Sequence, residues 1–111
     1  MDNIKIMVNG LPGNMASNVA SHALSDSRFD LIPPSLTGPE ITETETVIDS
    51  VSVRLVQPQY RDQAVLAIKE KEGLFLNVDF SLPSAVNSNA KFYCKHGLPF
   101  VMGTTGGDRQ L

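Results

Sequence analysis

The chain has 111 residues, enough for one domain whose core removes roughly two-thirds of the unfolded chain's surface from water, and too few for two. Its formal net charge of −3, with nine basic residues scattered along the sequence, offers a phosphate backbone no concentrated attraction and argues against nucleic acid as a partner. No apolar run approaches the roughly 20 residues of a membrane span, and the single cysteine, Cys94, cannot form an internal disulfide.

The opening M-D-N-I-K-I leads straight into a strand pattern, with neither the apolar core of a signal peptide nor a basic transit leader. A soluble, unprocessed chain is expected. Residues 4–8, I-K-I-M-V, alternate too little for a half-exposed strand and predict a central strand covered on both faces. The stretch V-N-G-L-P-G-N-M at 8–15 follows, carrying Gly10 and Gly13 into an apolar pattern at helical spacing. In a strand, glycine turn and helix of this kind, the glycines let the backbone turn sharply and come close to a ligand. The helix start presents unpaired N–H groups, for which the natural ligand is a phosphate. The helix is expected to bury Met15, Val19, Ala20, Ala23 and Leu24, with Ser17, Asn18 and Ser21 opposite.

Ser25, Asp26 and Ser27 break that helix, and residues 29–32 predict a second strand closed by Pro33 and Pro34. Residues 36–44 are read as an exposed connection without regular structure. Val47, Ile48, Val51, Val53, Leu55 and Val56, divided by Asp49 and Ser50, predict a short hairpin or a bent strand. Pro58 opens the next helix, with Tyr60, Ala64, Ala67 and Ile68 inward, K-E-K-E at 69–72 solvated and Gly73 as the stop. Residues 74–80, L-F-L-N-V-D-F, read as another strand covered on both sides. Ser81 and Pro83 suit a helix start, Val86, Ala90 and Tyr93 its inward face, and Gly97 its end. Residues 98–102 supply the last strand and 103–107 a glycine-threonine turn at its carboxyl end. Alternating strands and helices predict a single small α/β domain over 1–111, a parallel sheet with ligands just beyond the strand ends.

Taken alone, G-x-x-G-x-x-A at Gly10, Gly13 and Ala16 leaves nucleotide binding and a purely structural turn both open. D-F-S at 79–81 and M-G-T-T-G-G at 102–107 add two more polar turns at the same expected edge. The combination N-G-x-x-G-x-M, V-D-F-S-x-P-x-A-V-x-x-N and K-H-G-L-P-F-V-M-G-T-T-G resembles the 4-hydroxy-tetrahydrodipicolinate (dihydrodipicolinate) reductases, especially those of plants and cyanobacteria. The resemblance covers essentially the whole chain but only the amino-terminal, nucleotide-binding half of that enzyme. It implies a Rossmann-type sheet with helices on both faces, and NADPH or NADH as cofactor in the pathway to diaminopimelate and lysine. By resemblance Gly10 and Gly13 take the pyrophosphate turn, Asn14 and Met15 count with them as cofactor-binding residues, Asp79 and Phe80 lie near the cofactor, and Gly103, Thr104 and Thr105 line the nicotinamide side.

The departures from the family pattern matter as much. Pro12 stands where the family often has a small or hydroxyl residue and has no N–H to donate, Asn14 replaces a basic residue, and Ala16 replaces glycine. No acidic ribose partner follows the second strand, where Ser35, Leu36 and Thr37 occur and Glu40 is the nearest acid. The family's substrate domain, with its H-H-rich motif and catalytic lysine, is expected to be absent from this sequence, so no catalytic residue is assigned. The chain then reads as a truncated reductase homologue, inactive alone and weakened in cofactor binding. The alternatives are a non-catalytic Rossmann-type binding or protein-interaction module and one half of a split reductase. Self-association as a homodimer, or a separate substrate-domain partner, follows as an expectation, in a cytoplasm or a plastid-like compartment. His22 and His96 read as surface or capping residues, Cys94 as a packed thiol, and no metal site is assigned. Asp79 reads equally as a buried acid with a role or a strand-end carboxylate hydrogen-bonded to the next turn.

Overall fold

The computed structural model describes residues 3–80 and 85–103. Its elements in chain order are β1 (Ile4–Asn9), α1 (Asn14–Ser25), β2 (Phe29–Leu31), β3 (Ser35–Leu36), β4 (Glu45–Ile48), β5 (Val51–Val56), a 3-10 turn (Pro58–Tyr60), α2 (Arg61–Glu72), β6 (Leu76–Asp79), α3 (Val86–Lys95) and β7 (Phe100–Met102). Four strands form a parallel sheet in the order β2-β1-β6-β7, and three form a smaller sheet in the order β3-β5-β4.

β1 is the central strand its apolar run predicts, paired in parallel on both sides. Its side chains divide the core. Ile6 and Val8 pack with Ala16, Ala20 and Ala23 of α1 and with Ile48, Val53 and Leu55 of the hairpin. Met7, pointing the other way, packs with Val65 and Ile68 of α2, Phe92 and Tyr93 of α3, and Phe75. Alternation along one strand thus covers both faces of the sheet, each buried aliphatic side chain stabilising by about 1.5–3 kcal/mol. The β4–β5 pairing is the predicted hairpin, with Asp49 at φ 49° and Ser50 at φ 71° in the turn. Two consecutive positive φ angles give a turn whose twist matches the flanking strands.

Several expectations are corrected. α1 buries Ala16, Ala20 and Ala23, whereas Met15 is half exposed. Three alanines at i, i+4 and i+7 let the helix lie close to the sheet, and the long Met15 side chain is rotated out of that seam. In α2 the buried residues are Val65 and Ile68; Tyr60 and Ala67 face outward. Tyr60 belongs to the preceding 3-10 turn, whose three-residue period puts it out of phase with the α-helix. Residues 36–44 are not uniformly an exposed connection: Leu36 completes β3, which pairs in parallel with β5, and Ser35, Leu36 and Thr37 are buried. The strand expected over 74–80 is confined to Leu76–Asp79, with Leu74 exposed. Ser81, Pro83 and the 104–107 part of the last turn lie outside the described residues. No helix among the described residues is long and apolar enough to cross a membrane.

Candidate functional site

β1, β6 and β7 end level with one another, Asn9 in register with Asp79 and Asp79 with Met102. The next residue on each strand, Gly10, Phe80 or Gly103, therefore emerges at the same edge. The Phe80 N–H donates to the Asn9 carbonyl at 3.0 Å, and the Gly103 N–H donates to the Asp79 carbonyl at 2.7 Å. Phe80 lies close to both glycines, by its backbone at Gly10 and by its ring at Gly103. Gly10 has φ +109°, and a Cβ there would stand 3.0 Å from the Phe80 carbonyl carbon and oxygen; a Cβ on Gly103 would run into the Phe80 ring.

Gly13 closes the first turn, its N–H donating to the Gly10 carbonyl at 3.0 Å, and occupies the N-cap of α1 without a side-chain cap hydrogen bond. The amides of the first helical turn have no intrahelical acceptor and face out of the helix end. Asn14 and Met15, the first two residues of α1, are exposed beside this turn. Pro12 is exposed as well, so the residue without an N–H lies on the outer side of the loop. Thr104 and Thr105 lie outside the described residues.

The glycine turn is pinned from β3. The Gly10 N–H donates to the Leu36 carbonyl at 2.9 Å, the Leu11 N–H to Ser35 Oγ at 3.3 Å, and Thr37 Oγ1 to the Leu11 carbonyl at 2.8 Å. Residues 35–37 follow the second strand, where a ribose partner would be sought, and their buried polar groups are spent on holding the turn. Glu40 is exposed beyond them.

Behind the edge runs a buried polar chain that the sequence reading missed. Asn9 uses its whole side chain: Nδ2 donates to Asn77 Oδ1 at 3.1 Å and to Tyr93 Oη at 2.8 Å, while Oδ1 accepts from the Leu36 N–H at 2.8 Å. Tyr93 Oη donates in turn to Asp79 Oδ2 at 2.5 Å, which also accepts from Asn89 Nδ2 at 3.2 Å. Arg61 reaches Asn89 Oδ1 at 2.9 Å while its guanidinium stacks 4.3 Å from the Phe92 ring centre. Asn9, Asn77, Asp79 and Tyr93 are each no more than 1% exposed, which makes full hydrogen bonding obligatory. Asp79 is accordingly a hydrogen-bonded carboxyl turned toward α3. Burial, reinforced by the neighbouring Asp79 charge and hydrogen bond, pushes the Tyr93 phenol well above its ordinary value. A sequence signal for Asn9 existed, since a polar residue ends an otherwise apolar strand directly before a glycine; Tyr93 was legible only as an inward residue.

The remaining candidates fall elsewhere. His22 is exposed on α1. His96 occupies the C-cap of α3 as expected, but its ring is buried, edge-on to Phe92 with Nε2 2.7 Å from Asp62 Oδ1. Its acidic neighbour lies 34 residues away in sequence, so the burial was not readable locally. Cys94, expected to be packed, is exposed. A groove lined by Arg61, Ser88, Lys91, Phe92 and Lys95 runs along the α2–α3 seam and contains no residue of the glycine turn. Among the described residues no group of three or more His, Cys, Asp or Glu side chains could hold a metal ion.

Residues 4–111 match the family model described as dihydrodipicolinate reductase, N-terminus. The chain is 40% identical over 106 residues to a probable 4-hydroxy-tetrahydrodipicolinate reductase 2, chloroplastic, of Oryza sativa subsp. japonica, covering 96% of this chain and 32% of that protein. It is 38% identical to 4-hydroxy-tetrahydrodipicolinate reductase 2, chloroplastic, of Arabidopsis thaliana, covering 96% of this chain and 30% of that protein. It is 34% identical over 104 residues to 4-hydroxy-tetrahydrodipicolinate reductase of Enterococcus faecalis, covering 93% and 37% respectively. The chain thus spans about a third of the length of these relatives.

Proposed function

The chain belongs to the dihydrodipicolinate reductase family, matching its amino-terminal part, and from that premise we propose that it is a dinucleotide-binding module with a weakened hold on the cofactor. The observation that carries this reading is the level ending of three parallel strands, which brings Gly10, Phe80 and Gly103 to one edge beside the N-terminus of α1. Gly10 and Gly13 take the pyrophosphate, with Asn14 and Met15 at its rim. Phe80 lies near the cofactor, and Gly103, with Thr104 and Thr105 by family resemblance, serves the nicotinamide side. The cofactor supplies a hydride; the chain's residues bind and orient it.

The weakening follows from residue chemistry. A charged hydrogen bond is worth about 1.5–3 kcal/mol, so an uncharged Asn14 at the phosphate edge costs roughly tenfold to a hundredfold in affinity. Pro12 removes one further donor. The buried residues 35–37 supply no acidic ribose partner, which leaves NADH and NADPH little distinguished.

The match covers about a third of the relatives' length, and on this reading these 111 residues by themselves turn over no substrate, whereas adding a separately supplied substrate domain restores the reaction. In solution β7, the outermost strand of its sheet among the described residues and with Val101 53% exposed, supports a monomer–dimer equilibrium. The compartment is a cytoplasm or, by analogy with the chloroplastic relatives, a plastid. Substrate-dependent oxidation of NADPH by the pure chain tests the catalytic part: none is expected, and measurable turnover overturns it.

A further inference from the structure

We propose that Tyr93 is a positioning residue for the cofactor edge, acting through Asn9 and Asp79 to hold the glycine turn and the Phe80 turn at their separation. The inference rests on the dinucleotide reading for its ligand but not for its geometry. Neither Tyr93 nor Asn9 lies on the rim. Instead, the Tyr93 hydroxyl bonds the side chains at both strand ends that carry the two turns, accepting from Asn9 Nδ2 at 2.8 Å and donating to Asp79 Oδ2 at 2.5 Å.

Four hydrogen bonds that reach the edge lead back to this junction through Asn9 and Asp79. Asn9 Oδ1 fixes the Leu36 N–H, and the Leu36 carbonyl fixes the Gly10 N–H. The Asn9 carbonyl fixes the Phe80 N–H, and the Asp79 carbonyl fixes the Gly103 N–H. The space between Gly10 and Phe80 has no room for a side chain, since a Cβ on Gly10 would lie 3.0 Å from the Phe80 backbone. A small rotation of Asn9 or Asp79 is therefore transmitted to the rim. Tyr93 itself is held by the Phe100 ring, 5.1 Å between centres, and by Phe92 at 5.7 Å, so its hydroxyl is a fixed point.

Tyr93→Phe removes this single atom and keeps the ring packing. In the amide NMR spectrum the variant is expected to remain folded and to shift Gly10, Leu36, Phe80 and Gly103. Its affinity for NADPH is expected to fall about tenfold. Ile68→Val, a core truncation away from the chain of hydrogen bonds, controls for general destabilisation and is expected to leave affinity unchanged. Shifts confined to α3, or an equal loss of affinity in Ile68→Val, overturn the proposal. If the wild-type chain binds no dinucleotide, the dinucleotide reading fails and the four amide shifts still decide this one. Should Tyr93→Phe not fold, fluorotyrosine-labelled wild-type protein supplies the test, because Tyr60 is exposed and Tyr93 buried. Saturating NADPH is expected to move the Tyr93 fluorine resonance and not that of Tyr60; bound cofactor with an unmoved Tyr93 overturns it.

Discussion

Gly10 and Phe80 approach so closely that the first cannot carry a side chain without meeting the backbone of the second, at 3.0 Å from both carbonyl carbon and oxygen. Gly73 provides a natural comparison, because it too has a positive φ, +78°, but nothing stands within 4 Å of its would-be Cβ. Gly73→Ala carries the conformational cost alone, about 1–3 kcal/mol. Gly10→Ala carries that cost and the clash with Phe80, so it is expected to be the more destabilised of the two in urea unfolding. Equal losses would show that the backbone approach at the edge is not a constraint.

Tyr93 predicts an alkaline limit to stability. Its folded phenol is raised above the ordinary value of 10.0 chiefly by burial. Its contribution is fully present below pH 10 and is lost as pH rises beyond the unfolded value, because only the unfolded chain releases the proton. Phenolate absorbance from Tyr93 should therefore appear together with loss of helical circular dichroism. In Tyr93→Phe this alkaline transition should lose its tyrosine component. Reversible ionisation of Tyr93 in the folded protein would contradict the burial argument.

At the acid end, the hydrogen bonds from Arg28 to Asp26 hold that carboxyl down to about 2 from an ordinary 3.8. A depressed carboxyl stabilises above its unfolded value and loses that contribution as pH falls from 3.8 through about 2. The pair is exposed, so the effect is small and salt-sensitive. Denaturant midpoints across this window should fall less steeply for Asp26→Asn than for the wild type; identical slopes would show that the pairing contributes nothing.

Self-association through β7 is expected to respond to charge on the exposed edge. Val101→Lys places a charge there without touching either buried cluster and should abolish dimers in sedimentation experiments at high concentration. A wild-type chain that stays monomeric throughout would remove the edge-strand argument.

How much of this was legible in the sequence depended on how local the cause was. The β1 run, the two-glycine turn and the Asp49–Ser50 hairpin announce themselves through neighbouring residues, and each is where its pattern puts it. The helix faces were misjudged by one position, because apolar size suggested Met15 where sheet packing selects the smaller Ala16. Ser35–Leu36 looked like the start of a polar loop; its burial comes from pairing with β5 and bonding to Leu11, both about 20 or more residues distant. The Asn9–Tyr93–Asp79 chain spans 84 residues at its widest and exists only once β1, β6 and α3 are assembled. The turns of the candidate site could thus be read from the sequence, whereas what holds them could not.

The central claim is a dinucleotide cradle whose grip on the phosphates is weakened at Asn14. Calorimetric titration of the wild-type chain and of Asn14→Arg with NADPH and NADH tests it most directly. Saturable wild-type binding is expected at roughly 0.1–1 mM, tightened about tenfold or more by the arginine. Low-micromolar binding by the wild type, or no saturable binding by either protein, would contradict it.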